Sequence, residues 1–195
     1  MFSDSGDAQE GISFLRLEQS DWANVPLEAF SMSQAANQHA KADFTVRMEA
    51  DKWTCSLAQE LYNSEQGICT QDGTVIFRGI LENLEVTSQH DYVICQGTIV
   101  SGSILMDTTP RCRSFQNPDM TWGQILETVI QAYPHGFLLK NCSNLDKSIG
   151  RPIIQYQETD WEFLNRIASR CNACIYPDTS QPWARCSLGL PAPRK

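Results

Sequence analysis

An α+β fold is predicted by three observations on this 195-residue chain, 42% of which is hydrophobic, enough for a real core. The first half is a series of short runs that alternate apolar and polar residues, as half-buried strands require. The second half holds two helices, each opened by a Thr with Gln or Glu three residues on, a spacing that satisfies two orphan N–H groups reciprocally. Between the halves, Asp107-Thr-Thr-Pro110 ends the strand run, because Pro110 lacks the N–H that a central ladder would use. The expected division is a β domain over residues 1–108 and an α+β domain over 109–195.

In chain order, the strand runs are Ile12–Leu17, Phe44–Met48, Thr74–Ile80, Leu84–Thr87 and Tyr92–Val100. Gln71-Asp72-Gly73 is the sharpest turn signal, since Asp-Gly supplies the positive φ angles of a tight hairpin; it predicts Gly67–Thr70 paired with Thr74–Gly79. Five short strands with open edges favour closure into a barrel or a two-sheet sandwich. Gln34–His39 is polar, and His39 reads as a surface or loop histidine. Trp53–Tyr62 fits a strand pair or a helical turn, and periodicity does not separate the two.

Past the boundary, Thr121 with Gln124 predicts a helix near 121–133 whose Trp122, Ile125, Leu126, Val129, Ile130 and Tyr133 form one stripe before Pro134 and Gly136 stop it. Phe137–Leu139 and Ile153–Tyr156 read as short apolar strands, and the polar stretch Asn141–Gly150 as a surface loop. Thr159 with Glu162 opens a second helix near 159–173. On it Trp161, Leu164, Ala168 and Cys171 share a stripe that Phe163 and Ile167 widen, so it is expected to be wedged between other elements. Asp160, in its first turn, suits the helix dipole.

The formal net charge of −8 makes the electrostatic term for nucleic acid or an anionic membrane repulsive, so neither is an expected partner. No stretch approaches the roughly 18 apolar residues of a membrane span, and the polar, acidic start differs from a signal peptide, so synthesis in the cytoplasm is expected. Eight cysteines are scattered at 55, 69, 95, 112, 142, 171, 174 and 186. Only Cys171 and Cys174 form a C-x-x-C pair, at a helix end rather than the start where a redox thiol is activated, and no second pair completes a zinc set. They read as reduced, mostly buried small hydrophobes, with no metal and no cofactor expected.

The segment Tyr156, Glu158, Thr159, Asp160, Trp161, Phe163, Leu164, Arg166, Ala168 resembles the "Y-x-E-S/T-D-W-x-F-L-x-R-x-A" element of the late control protein D and VgrG families, the tail hubs of contractile injection machines. Arg113-Ser114-Phe115-Gln116-Asn117 is similar to the "R-S-F-Q-N/D" element of phage-type members, and weaker echoes are Asn37–Ala40 and Ile76-Phe77-Arg78-Gly79-Ile80. The resemblance implies that the N-terminal strands form a small antiparallel β-barrel followed by an α+β region with two capped helices. It implies a homotrimer that joins the tail tube protein to the spike protein, built in a bacterial cytoplasm and incorporated into the apparatus. Its motif residues are Phe77, Gly79, Ser114, Phe115, Gln116, Tyr156, Asp160, Trp161, Phe163 and Leu164. The family's second barrel, neck and spike tip have no counterpart here, which reads as a truncation before the second barrel.

No catalytic constellation is recognisable: none of His39, His90 and His135 sits in a motif, and no G-x-S-x-G, H-E-x-x-H or phosphate loop occurs. Two competing readings remain distinguishable. A peptide- or glycan-binding module would show Trp53, Trp122, Trp161 and Trp183 in a solvent-facing row. A cell-wall hydrolase or thiol-dependent effector would place a histidine within reach of a cysteine or carboxylate.

Overall fold

The computed structural model describes residues 16–17, 27–63, 66–69 and 73–190. The chain divides into two compact units, one of residues up to 33, 40–101 and 179–182, the other of 34–39, 102–178 and 183 onward.

The first unit is a six-stranded antiparallel sheet in the order β1-β4-β5-β6-β3-β2. Its strands are β1 (Arg16–Leu17), β2 (Leu27–Ser33), β3 (Lys41–Glu49), β4 (Gln66–Cys69), β5 (Val75–Gln89) and β6 (Tyr92–Ser101). Alternation decides the buried face: Ala42, Phe44, Val46 and Met48 of β3 point into a core with Leu27, Ile68, Phe77, Cys95 and Ile99. Gly67 pairs with Arg78 and Ile68 with Phe77, while the turn predicted at 71–72 lies outside the described residues. The start of the predicted Ile12–Leu17 strand does too; Arg16 and Leu17 pair with Cys69 and Ile68.

Three differences from expectation have physical causes. The runs read as two strands, Thr74–Ile80 and Leu84–Thr87, are one 15-residue strand, because a bulge between Leu81 and Asn83 shifts the side-chain alternation without breaking the ladder. β2 escaped notice because a bulge between Leu27 and Ala29 interrupts its period and its edge position leaves it mostly exposed. The undecided stretch is a 3-10 turn at Ala50–Lys52 and a helix, α1 (Cys55–Asn63). The described strands form a curled sheet, a half-barrel, rather than a complete barrel. Among the described residues no ladder joins β1 to β2.

The second unit packs two helices, α2 (Trp122–Ile130) and α3 (Asp160–Arg170), with short strands. β7 (Arg111–Phe115) and β9 (Ile153–Glu158) form an antiparallel ribbon. β8 (Phe137–Lys140), β10 (Ile175–Pro177) and β11 (Arg185–Leu188) form a sheet in the order β10-β11-β8, with β11 parallel to β8. The α3 stripe is buried throughout, Trp161 at 4% exposure and Phe163, Leu164, Ile167 and Ala168 at 0%. Ile125, Leu126, Val129 and Ile130 of α2 join the same core. Residues 141–150 are more than a surface loop: Leu145 and Ile149 are buried, and the Ile149 N–H donates to the Met120 carbonyl at 2.8 Å.

Gly79 explains itself by what surrounds it. A Cβ at this position would run into the Val100 carbonyl of the neighbouring strand, which is backbone and cannot yield without opening the ladder. Gly79→Ala is expected to destabilise the first unit by about 2–3 kcal/mol, read as a lower urea midpoint at unchanged slope.

Candidate functional site

Where β9 ends and α3 begins, the chain buries a carboxylate. Asp160 has 0% exposure, and a charge there is tolerable only if paired and fully hydrogen-bonded. β7 supplies the pairing, because its register sets Arg113 opposite Gln155. Arg113 donates to both carboxylate oxygens, Nη2 reaching Oδ2 at 3.1 Å, and Nη1 also donates to the Gln155 amide oxygen at 2.7 Å. Gln155 Nε2 donates to Oδ1 at 2.8 Å, the Tyr133 hydroxyl to Oδ2 at 2.7 Å, and Arg111 Nε lies 3.3 Å from Oδ2. Burial pushes the Asp160 carboxyl up, but the hydrogen bonds from Arg113, Gln155 and Tyr133 outweigh it and hold the carboxyl below its usual range. Burial, then the bond to Asp160, pushes the Tyr133 hydroxyl up to about 12.

Next to this node stands the start of α3. The Thr159 hydroxyl accepts from the Glu162 N–H at 3.1 Å, and the Glu162 carboxylate accepts from the Thr159 N–H at 2.8 Å. Thr121 and Gln124 make the same reciprocal pair at α2. Thr159 Oγ1 also donates to Asp107 at 2.5 Å. Asp107 in turn lies 3.2 Å from His39 Nε2, His39 Nδ1 lies 2.8 Å from Ser103 Oγ, and the imidazole sits against the Trp161 ring with centroids 4.5 Å apart. His39 therefore lies in the loop before β3, as its polar neighbours imply, but is packed rather than on the surface. Two residues earlier, Asn37 adopts φ 63° and clips β10, its N–H donating to the Ile175 carbonyl and its side-chain oxygen accepting from the Ile175 N–H.

Serine, histidine and aspartate thus converge, the condition set for the enzyme reading. Their surroundings speak against a nucleophile: Ser103 is 0% exposed, so no acyl carbon can approach its oxygen, and Asp107 is also bound to a helix cap.

The other face of the ribbon is bare. On β9, Ile153 and Gln155 point inward, while Ile154 is 59% and Tyr156 70% exposed. Across from them on β7 are exposed Ser114 and Cys112, in register with Ile154 and Tyr156. Phe137 and Leu139 are likewise exposed on β8, an edge strand of its sheet. Apolar side chains on short, unpaired strand edges are the chemistry of a contact surface.

Of the motif residues, Asp160, Trp161, Phe163, Leu164 and Phe115 meet in the second unit's interior, where Phe115 stacks on Phe163 at 5.8 Å. Ser114, Gln116 and Tyr156 face solvent. Phe77 and Gly79 lie in the interior of the other unit. Arg111, Arg113, Tyr133 and Gln155 were not singled out for a site; the signal for them was a buried-helix Asp needing a cation within one short ribbon. In the first unit a shallow groove of about 280 Å³ crosses β2, β3, β5 and β6, lined by Phe30, Asp43, Thr45, Glu85, Gln96 and Thr98 among others.

The model of the phage tail baseplate hub (GPD) family matches residues 27–181. The chain belongs to the phage tail baseplate hub family. Solved structures with this hub chain's fold include the tail protein from Neisseria meningitidis MC58, at 14% identity and TM-score 0.65 over 90% of this chain and 49% of that one. The 43 kDa tail protein of prophage MuSo2 from Shewanella oneidensis matches at 13% and 0.65, covering 93% and 54%. The E. coli c3393 protein, described as a type VI secretion component with structural similarity to the T4 tail proteins gp27 and gp5, matches at 13% and 0.62, covering 83% and 44%. This hub chain spans about half the length of those proteins. Among curated proteins none matches it. No described helix is long and apolar enough to cross a membrane.

Asp160→Asn is expected to cost about 3 kcal/mol, because it leaves two guanidiniums facing a neutral amide, and Arg113→Lys should cost nearly as much since an ammonium cannot span both oxygens. A carboxyl held low in the folded state stabilises fully above its unfolded value of about 3.9 and loses that contribution as pH falls through the lower folded value. Urea titrations from pH 7 to pH 2 should show the wild-type acid loss reduced in Asp160→Asn; an identical acid limb would refute the role given to this carboxylate.

Proposed function

We propose that this chain is a structural hub component of a contractile injection apparatus, whether phage tail, tailocin or type VI-like, acting by assembly rather than by catalysis. In this reading the hub is a homotrimer of late control protein D or VgrG type, made in the bacterial cytoplasm and built into the apparatus, that joins the tail tube protein to the spike protein. Residues 1–108 serve as the barrel domain, the half-barrel closing within the assembled ring, and 109–195 as the α+β domain. The ring also needs a second barrel, either from residues beyond this sequence or from another chain.

The observation that carries the reading is the outward strip of Ile154 and Tyr156, set on a ribbon whose inner face is held by the Asp160 node. Exposed apolar side chains on a flexible segment would be an aggregation hazard; on a braced ribbon they present a fixed contact shape. The motif residues Ser114, Gln116 and Tyr156 belong to that surface, and the buried ones hold it in place. Neither competing reading gains comparable support. The groove in the first unit is shallow, with no tryptophan among its lining residues, and the four singled-out tryptophans are buried or half-buried.

The test is light scattering of this chain co-expressed with tail tube and spike proteins of the same locus. Expected is a complex containing three copies, lost in the double variant Ile154→Lys, Tyr156→Glu while that variant's thermal unfolding stays within about 1 kcal/mol of wild type. A chain that stays monomeric with every tail protein supplied would sink the proposal.

A further inference from the structure

The outer face of the first unit's sheet carries two side-chain rows that run across four strands, from β2 through β3 and β6 to β5. Ala29, Thr45, Gln96 and Glu85 stand side by side in one row, and Ser31, Asp43, Thr98 and Asn83 in the next. β2 and β5 each carry a bulge just before these rows, between Leu27 and Ala29 and between Leu81 and Asn83, and a bulge bends its strand. The rows therefore lie in a concavity, the groove of about 280 Å³.

Charge decides what fits there. The strands of this sheet hold five carboxylates, Glu28, Asp43, Glu49, Glu82 and Glu85. Three of them have a cation of their own: Glu28 has Arg47 at 3.7 Å, Glu49 has Lys52 at 2.7 Å and Glu82 has Lys41 at 2.7 Å. Asp43 and Glu85 have none within ion-pair distance among the described residues, and these are the two that line the groove, both exposed. Arg47, one row away, is committed elsewhere, since its guanidinium also lies 3.8 Å over the Tyr92 ring. Asp43 is held in place: Thr98 Oγ1 donates to Oδ1 at 2.7 Å and Ser31 Oγ to Oδ2 at 3.3 Å. Each carboxylate oxygen keeps a lone pair for a further donor.

We propose that this groove docks a basic polypeptide segment of a partner protein, an extended stretch with two arginine or lysine side chains, one meeting Asp43 and the other Glu85. β6 runs between the strands that carry the two acids, so their backbones stand two strand spacings apart, roughly 10 Å. One ammonium or guanidinium cannot contact both. In an extended segment residues i and i+2 point to the same side about 7 Å apart, and long basic side chains span the remainder. The amides of Gln96 and Asn83, in the same two rows, offer hydrogen bonds to the segment's backbone. Complementary charge makes a partner of this kind the one the groove selects. The docking face belongs to the first unit and needs nothing from the Ile154 and Tyr156 strip.

The test titrates the nitrogen-15-labelled full chain with acetyl-Arg-Gly-Arg-amide and follows backbone amide shifts by NMR. The control peptide replaces both arginines by citrulline, which keeps the shape and removes the charge. Expected are saturable shifts confined to β2, β3, β5 and β6 around the two rows, and no response to the citrulline peptide. Binding should be about tenfold weaker in the double variant Asp43→Asn, Glu85→Gln and unchanged in Glu49→Gln, which removes a carboxylate outside the groove. Shifts spread over the other carboxylates, an equal response to citrulline, an unweakened double variant or no saturable binding would each overturn the proposal. Should the double variant fail to fold, the two single variants, each expected to bind about threefold more weakly, decide in its place.

Discussion

A carboxylate that water cannot reach dictates where the rest of the second unit must be. Burying the Asp160 charge would cost several kcal/mol without partners, so a guanidinium, an amide and a phenol have to meet it within hydrogen-bonding distance. Each comes from a different place: Arg113 from β7, Gln155 from β9, Tyr133 from the turn beyond α2. None of these elements is long enough to hold its position by ladder or stripe alone. The node therefore ties a five-residue strand, a six-residue strand and the exit of a nine-residue helix to the start of α3.

The same constraint separates the buried face of the ribbon from the exposed one. Because strand side chains alternate, anchoring Gln155 inward forces Ile154 and Tyr156 outward. A slip of one residue would bury Tyr156 and expose Gln155, stranding the carboxylate. So the outward apolar pair cannot drift, and its register is fixed by an interior charge. A hydrophobic pair in place of Asp160 and Arg113 would pack, yet either register would satisfy it about equally.

Much of this was legible in the residues. The Thr-x-x-Gln and Thr-x-x-Glu spacings located both helices, and the α3 stripe named its buried face, because capping and periodicity are local properties. The pairing of the run from Gly67 with the run to Gly79, read from the Asp-Gly signal, is present as the β4–β5 ladder. What failed were features set by non-local geometry. A bulge at Leu81 to Asn83 reads as a strand break, and an edge strand such as β2 carries little apolar signal. Closure of the sheet depends on how many residues the first and last strands offer each other, which no short window reports. Asp160 was assigned to the helix dipole, a reading its position allows; its burial follows from Arg113, 47 residues away. The packing of the loop residue His39 was hidden for the same reason, since Trp161 and Asp107 are distant in sequence.

The convergence of Ser103, His39 and Asp107 shows why donor-acceptor order is insufficient to name a chemistry. A hydrolase triad needs a nucleophile open to substrate and an acid whose remaining lone pairs serve the imidazole. Here the serine is enclosed, the ring lies on Trp161, and Asp107 gives its other oxygen to the Thr159 hydroxyl that caps α3. Every group in the chain of contacts ends on the helix start. The histidine then does for the Asn37–His39 turn what Arg113 does for β7: it fixes a short segment that has no ladder of its own by spending its polar atoms on the N-terminal end of one helix. Two independent polar anchors converging on Thr159 and Asp160 make that helix start the rigid point from which the surrounding surface takes its shape.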